Sequence, residues 1–270
     1  MNVGFIGMGS MGQMLVTVLA RSKVLAPGEL FASSRNQEKL RRLALALPAV
    51  KALPRNSDLV RRCDVVFLCV KPGDLKTVLA EIGSYITPDH LLVTITNAID
   101  IATLEDAVPA RVAKVIPSVV NAIGDGVSLI MPGSRCTGAD SSFLLHLLGA
   151  VSHPLVITEA QARVASDLTS CGPAFLSYVF RALAQAARRY QEDLPAEAIE
   201  IMVRRTAIAT CRLVEETGLT FDDIIAKVST PGGITAEGIN VMDELLSGVW
   251  EQVIETTIRR EEAKKAKIEL

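Results

Sequence analysis

The chain has 270 residues, 49% hydrophobic and 21% charged, with a formal net charge of −2. That length suits one large domain or two modest ones, and the composition excludes a disordered or fibrous chain. Charges of both signs are mixed throughout and no run of about 18 apolar residues occurs, so neither a nucleic-acid nor a membrane partner is expected.

In chain order, residues 2–6 predict a short apolar strand that breaks into Gly7-x-Gly9-x-x-Gly12 and runs on into an apolar helix over 10–21. In such a strand–turn–helix unit the first glycine allows a tight turn, the second lets backbone approach a pyrophosphate, and the third lets helix and strand pack closely. The helix N-terminus, from Ser10 and Met11, then offers N–H groups to the phosphates. This is the pattern of a dinucleotide site. The fingerprint starts so early that a signal peptide is not expected before it.

The next strand, 29–33, ends in Ser34-Arg35-Asn36 with no acid at its carboxyl end. An NAD site normally places a carboxylate there for the ribose 2′-hydroxyl, whereas hydroxyls and a guanidinium suit a 2′-phosphate. The expectation is therefore NADP(H), with NAD(H) as the alternative. Arg35 also reads as a solvated charge at the start of the helix over 36–47.

Further strands are predicted at 65–70, 91–96, 110–116, 126–131 and 154–157, with helices at 74–83, 101–107 and 138–149. The alternation implies a parallel, doubly wound sheet of the Rossmann type over residues 1–157. Residues 65–70 are continuously apolar, as in a strand covered on both faces. Segments 70–72, 96–99 and 116–118 follow strands, where such sheets bind ligands. Among them Lys71, between Val70 and Pro72, reads either as a phosphate or ribose contact or as a surface lysine.

Beyond residue 158 helical signals take over, predicting an all-helical domain over 158–270. A long apolar-periodic stretch at 159–191 is interrupted by Gly172-Pro173. Pro195 suits the first turn of a helix that stops at Gly218, Thr220 and Asp223 form a capping box, and a last helix runs from about 236 to the end. The apolar face of Ile199, Met202, Val203, Ala207 and Ile208 implies a homodimer, unless the two domains of one chain cover it. In the last helix Arg259, Arg260, Lys264, Lys265 and Lys267 alternate with glutamates, giving a solvated face.

Between these helices lies Thr230-Pro231-Gly232-Gly233-Ile234-Thr235, with two glycines just ahead of a helix. It reads as a cradle for a small carboxylate or as an ordinary helix–helix turn. No histidine stands in a crevice segment: His90, His146 and His153 are isolated. The cysteines (63, 69, 136, 171 and 211) are odd in number and scattered, so no metal site or disulfide framework is expected and a reducing cytoplasm is. No lysine lies between Leu168 and Phe180, which argues against a 3-hydroxy-acid dehydrogenase. An imine substrate, which can arrive protonated, needs only a hydroxyl donor.

Together GFIGMGSMG, SSRNQEK, Asn56 with DVVFLCVKP, CGPAF, PGGIT and a terminal helix ending in Glu-Leu resemble the Δ1-pyrroline-5-carboxylate reductase family along essentially the whole chain. The resemblance implies a Rossmann domain followed by a helical dimerisation domain, in a homodimer or higher homo-oligomer. It also implies an oxidoreductase acting on CH–NH, reducing the C=N of Δ1-pyrroline-5-carboxylate to L-proline. It assigns the cofactor to Gly7, Gly9, Ser10, Met11, Gly12, Ser34, Arg35, Asn56, Val70, Lys71 and Pro72. It assigns the substrate to Thr230, Gly232 and Gly233, with Thr235 as the hydroxyl donor.

The chain departs from the family pattern at Thr96-Asn97-Ala98, where Ala-Ala-Gly is usual, and at Ile116-Pro117-Ser118-Val119-Val120, where Met-Pro-Asn-Thr-Pro is usual. It departs again at Ser170-Cys171, for Gly-Ser, and at Thr230 and Ile234 in the glycine turn. Segments 115–118, 151–155 and 163–175 look more like the late-competence-operon paralogue of spore-forming bacilli (ComER-like). That likeness implies the alternative of a catalytically impaired, dinucleotide-binding or regulatory protein linked to competence.

Overall fold

The computed structural model describes residues 1–266. Lys267 and the terminal Glu-Leu pair lie outside the described residues. By compactness the chain forms two units, one of Met1–Pro173 together with the chain from Thr257 onward, the other of Ala174–Thr256.

The first unit is built on an eight-stranded sheet. Its elements are β1 (Val3–Ile6), α1 (Ser10–Ser22), β2 (Leu30–Ser33), α2 (Gln37–Ala46), β3 (Val50–Leu53), α3 (Asn56–Val60), β4 (Val65–Leu68), α4 (Pro72–Ile82), β5 (Leu91–Thr94), α5 (Ile101–Ala107), β6 (Arg111–Ile116), β7 (Val127–Pro132), α6 (Gly138–Gly149) and β8 (His153–Val156). The strand order is β3-β2-β1-β4-β5-β6-β7-β8. The chain thus moves outward from β1 in one direction, then returns to add β4 on its other side. That reversal opens a crevice at the carboxyl ends of β1 and β4.

Alternation along the strands explains the two-sided core. Phe5, Val65, Phe67 and Val93 pack on one face with Leu15 and Leu19 of α1. Ile6, Val66, Leu68 and Leu92 pack on the other with Leu75 and Leu79 of α4. Phe5 and Phe67, opposite each other in the β1–β4 register, stack with ring centroids 4.6 Å apart. Residues 65–69 of the apolar run at 65–70 are therefore buried on both faces, as the composition predicts, and Val70 emerges at the end.

Two expectations for the sheet need correction. The sheet is not wholly parallel, because β7 pairs antiparallel with β6 while β8 runs parallel to β7. The link between β6 and β7 is residues 117–126, shorter than the dozen or more residues of a parallel crossover. It turns sharply through Gly124 and Gly126, at φ +77° and +75°. Strand β3 and the short α3 were not expected at all. β3 is an edge strand with Lys51 and Ala52 exposed, so it carries no apolar signature.

After β8 the chain is helical: α7 (Ala162–Ser166), a π turn at Asp167–Cys171, α8 (Gly172–Tyr190), α9 (Ala196–Thr217), α10 (Phe221–Val228), α11 (Ile234–Leu246) and α12 (Val249–Lys265). Gly172-Pro173 does not end a helix. Gly172 is right-handed helical, and the wide turn before it accommodates the interruption. Pro195 caps α9 from outside rather than opening its first turn, while Gly218 closes it in the left-handed conformation as expected. The Thr220–Asp223 capping box forms. The predicted single last helix is two: α11 starts at Ile234, and the chain breaks at Ser247-Gly248, with Gly248 at φ +75°.

The unit of Ala174–Thr256 hides little of its apolar surface. Ile199 is buried, but Leu176, Leu183, Met202, Ile208 and Leu245 are exposed. Among the described residues no helix is long and apolar enough to cross a membrane.

Candidate functional site

The carboxyl end of β1 opens into a cleft of about 220 Å³ in the first unit. Gly7, Gly9, Ser34, Arg35, Asn56, Val70 and Lys71 all line it, so the structure gathers most of the sequence-predicted cofactor residues in one place. Gly7 has φ +100°, and a Cβ there would stand 2.7 Å from the Cys69 carbonyl. A Cβ on Gly12 would stand 2.1 Å from the Gly7 carbonyl, so only glycine lets α1 pack this close to the loop. A Cβ on Gly9 would meet no neighbouring atom. That position faces open space on the cleft wall.

Ser10, Met11 and Gly12 form the first turn of α1. No side chain caps that turn, and it carries no acid. Its N–H groups and the positive end of the helix dipole are thus left for an anion. Pro72 opens α4, whose preceding residue Lys71 is exposed at the cleft. These features fit a dinucleotide pyrophosphate: a bare helix start, a close backbone approach and cationic walls.

Asn56 has a second role. Its Oδ1 accepts from Ser33 Oγ at 2.7 Å, and its Nδ2 donates to Glu81 at 2.7 Å. This pins α3 to the end of β2 and to α4 beneath the cleft. Three polar lining residues were missed by sequence reasoning, Asn36, Lys39 and Asp74, as were four apolar or sulfur-bearing ones. Lys39 lies one turn into α2, whose cap is Asn36 accepting from the Lys39 N–H. Asp74 sits in the first turn of α4 and pairs with Arg35 at 2.9 Å. The Asn36 capping pattern was readable in sequence; the approach of α4 to Arg35 was not.

Thr230, Gly232, Gly233 and Thr235 lie in the other unit. Gly232 has φ +70°, and the Gly233 N–H bonds back to the Thr230 carbonyl at 2.8 Å. The Gly233 amide is therefore used in closing the turn rather than bared. A Cβ on Gly233 would stand 2.5 Å from Thr230 Oγ1. Ile234, Thr235 and Ala236 begin α11, again with no capping side chain. Thr230 and Thr235 are both exposed.

Four of the residues that depart from the family pattern, Asn97, Ser118, Ser170 and Cys171, are engaged within the first unit. Ser118 is fully buried and donates to the Thr169 carbonyl at 2.8 Å. Ser170 donates to the Ser166 carbonyl at 3.1 Å. Asn97 Nδ2 donates to Glu261 of α12 at 2.8 Å, and Glu261 pairs with Arg163 at 2.6 Å. Arg163 also holds Asp167 at 2.6 Å and reaches Cys171 Sγ at 3.4 Å. Lys265 extends the tie of α12, bonding Asp100 at 2.8 Å and holding its carboxyl below the usual aspartate value. Nearby, Lys114 is fully buried and paired with Glu159; burial pushes its pKa below the ordinary lysine value, the pairing opposing it.

None of the cysteines in the described residues is bridged. Burial pushes the Cys63 thiol up to about 12 and raises Cys69 as well, so both are inert core groups.

Residues 2–98 match the model described as NADP oxidoreductase coenzyme F420-dependent, and 159–264 match the pyrroline-5-carboxylate reductase dimerisation model. ComE operon protein 4 of Bacillus subtilis is 33% identical over 95% of this chain and 94% of its own. A pyrroline-5-carboxylate reductase of Methanosarcina acetivorans is 28% identical over 97% of this chain and 96% of its own. The fold matches the solved pyrroline-5-carboxylate reductase of Coxiella burnetii with a TM-score of 0.89, at 22% identity over 97% of this chain and 98% of that one. It matches the Plasmodium falciparum enzyme, solved with NADP bound, at 0.82 with 22% identity, over 98% and 97%.

Proposed function

The chain belongs to the pyrroline-5-carboxylate reductase family, and we propose that it is an NADP(H)-dependent reductase of the C=N bond of Δ1-pyrroline-5-carboxylate, giving L-proline. Residues 1–157 bind the dinucleotide; residues 158–270 bind substrate and form the homodimer. The observation that carries this reading is the cleft with dinucleotide chemistry beside the bare start of α1; α11, in the other unit, has an uncapped start of its own.

Bound NADPH supplies the hydride. Gly7, Gly9 and the first-turn amides of Ser10, Met11 and Gly12 hold its pyrophosphate. Ser34 and Arg35 hold the 2′-phosphate, and Val70-Lys71-Pro72 line the cleft wall. Thr230, the Gly232 amide and the uncapped start of α11 hold the substrate carboxylate, and Gly233, its own amide spent on the Thr230 carbonyl, shapes the turn that presents them. The Thr235 hydroxyl donates a hydrogen bond to the neutral imine nitrogen, where negative charge develops in the transition state, and a proton relayed from solvent through this exposed hydroxyl completes the amine. The exposed apolar surface around Leu183 and Met202 is covered by a second copy of the chain. A reducing cytoplasm suits the unbridged cysteines.

The test is isotopic. Incubation with NADPH deuterated at both C4 positions and pyrroline-5-carboxylate yields proline carrying one deuterium, read by mass spectrometry. Unlabelled or absent proline contradicts the reading.

A second reading, a dinucleotide-binding regulator linked to competence, draws on the engagement of Ser118, Asn97, Ser170 and Cys171 with protein partners rather than with a cleft. It predicts NADPH binding without turnover.

A further inference from the structure

Four charged side chains line the dinucleotide cleft: Arg35, Lys39, Lys71 and Asp74. Three are cationic, as an anionic ligand requires. The fourth is a carboxylate, and it stands against the guanidinium assigned above to the 2′-phosphate, Arg35 Nη2 to Asp74 Oδ2 at 2.9 Å. The two come from different elements, Arg35 from the loop after β2 and Asp74 from the first turn of α4. The Asp74 N–H bonds to the Lys71 carbonyl at 2.9 Å, which fixes its backbone at the cleft wall.

We propose that Asp74 is a specificity-determining residue: it competes with the coenzyme 2′-phosphate for Arg35 and lowers the preference for NADP(H) over NAD(H). The inference rests on Arg35 as the 2′-phosphate ligand. A phosphate monoester carries close to two negative charges at neutral pH, so it must draw Arg35 away from Asp74 or share it against like-charge repulsion. A coenzyme with a free 2′-hydroxyl makes no such demand and leaves the pair intact. Arg35 is 74% and Asp74 33% exposed. The pair is therefore weak and screened by salt, which limits the effect to about five-fold in affinity. Lys39, on the same cleft and without a carboxylate partner among the described residues, remains for the phosphate throughout.

The experiment is calorimetric titration of the full chain with NADP⁺ and NAD⁺ at low and raised salt. The variants are Asp74→Asn, Asp74→Glu, Arg35→Ala and the Arg35→Ala/Asp74→Asn pair. Asp74→Asn should tighten NADP⁺ about five-fold at low salt and leave NAD⁺ within about two-fold, with a smaller gain at raised salt. Asp74→Glu keeps the charge and should hold the wild-type ratio. In the Arg35→Ala background the gain from Asp74→Asn should shrink to the small part owed to direct repulsion, within about two-fold. An unchanged or lower NADP⁺ to NAD⁺ ratio in Asp74→Asn, while Arg35→Ala still weakens NADP⁺, overturns the role of Asp74 alone. NADP⁺ affinity unchanged in Arg35→Ala overturns the assignment of Arg35 to the phosphate, and the role of Asp74 with it.

Discussion

The two compact units solve the burial problem in opposite ways. In the first, the sheet is covered on both faces and residues such as Phe5, Val65 and Leu91 reach zero exposure. In the second, Leu183 is 57% exposed and Met202 49%, and both border an apolar groove of about 400 Å³ with Phe180 and Ile199. A unit that completes its own core can carry a preformed ligand cleft. A unit of amphipathic helices with uncovered faces is built to be finished by another surface. On the proposed reading, the difference separates cofactor binding held within one unit from a reaction that also needs the second unit and its covered face.

The sharpest way to break that comparison is to charge the uncovered face. Leu183→Glu places a carboxylate in the groove and should convert the proposed homodimer to monomer while leaving NADPH affinity unchanged. Light scattering coupled to size exclusion reads the mass, and a wild-type mass would remove Leu183 from the subunit interface. Gly12→Ala attacks the other unit. Its methyl meets the Gly7 carbonyl at 2.1 Å, so α1 must move off the loop. The expected cost is about 1–3 kcal/mol of stability, with NADPH affinity down at least about ten-fold. A melt and titration matching wild type would show that the close approach is dispensable.

Thr235→Ala separates binding from chemistry. Thr235 is exposed on the second unit, so folding should be untouched. Turnover should fall about 100-fold, as for loss of one transition-state donor, with NADPH affinity unchanged. Equal rates would remove the hydroxyl from the mechanism. The smallest effect is expected within the first unit, where Lys265 at the end of α12 meets Asp100. Asp100 is held below its ordinary value by the Lys265 hydrogen bond, so its folded form binds a proton less readily than its unfolded form. Its contribution to stability is present above about pH 4 and is lost as pH falls through the lowered folded value. In Asp100→Asn the melting temperature near neutral pH should fall slightly, and less of it should remain to lose on acidification. A variant and wild type with parallel pH profiles would contradict the contact.

Much of the first unit was legible because its physics is local. Continuous apolar runs marked β4 and β5, and the Gly7–Gly12 spacing marked the loop and helix of the cleft. The direction of β7 was not legible from its own residues, since it follows from the length and turns of residues 117–126. Strand β3 was invisible because an exposed edge strand needs no apolar alternation. Within the cleft, Ser34 and Arg35 could be found beside the glycine unit, but Asp74 could not. It reaches Arg35 only once α4 packs on the sheet, 39 residues away in sequence. Asn97 and Glu261 are separated by 164 residues and meet through the return of α12, which sequence periodicity does not report.

The most direct test of the central claim is steady-state consumption of NADPH by the purified chain with Δ1-pyrroline-5-carboxylate, on protein whose NADPH binding has been measured in the same buffer. A reductase gives a rate proportional to protein concentration and saturable in both ligands. Saturable NADPH binding with no consumption above the protein-free control would contradict the reductase reading and leave a dinucleotide-binding protein.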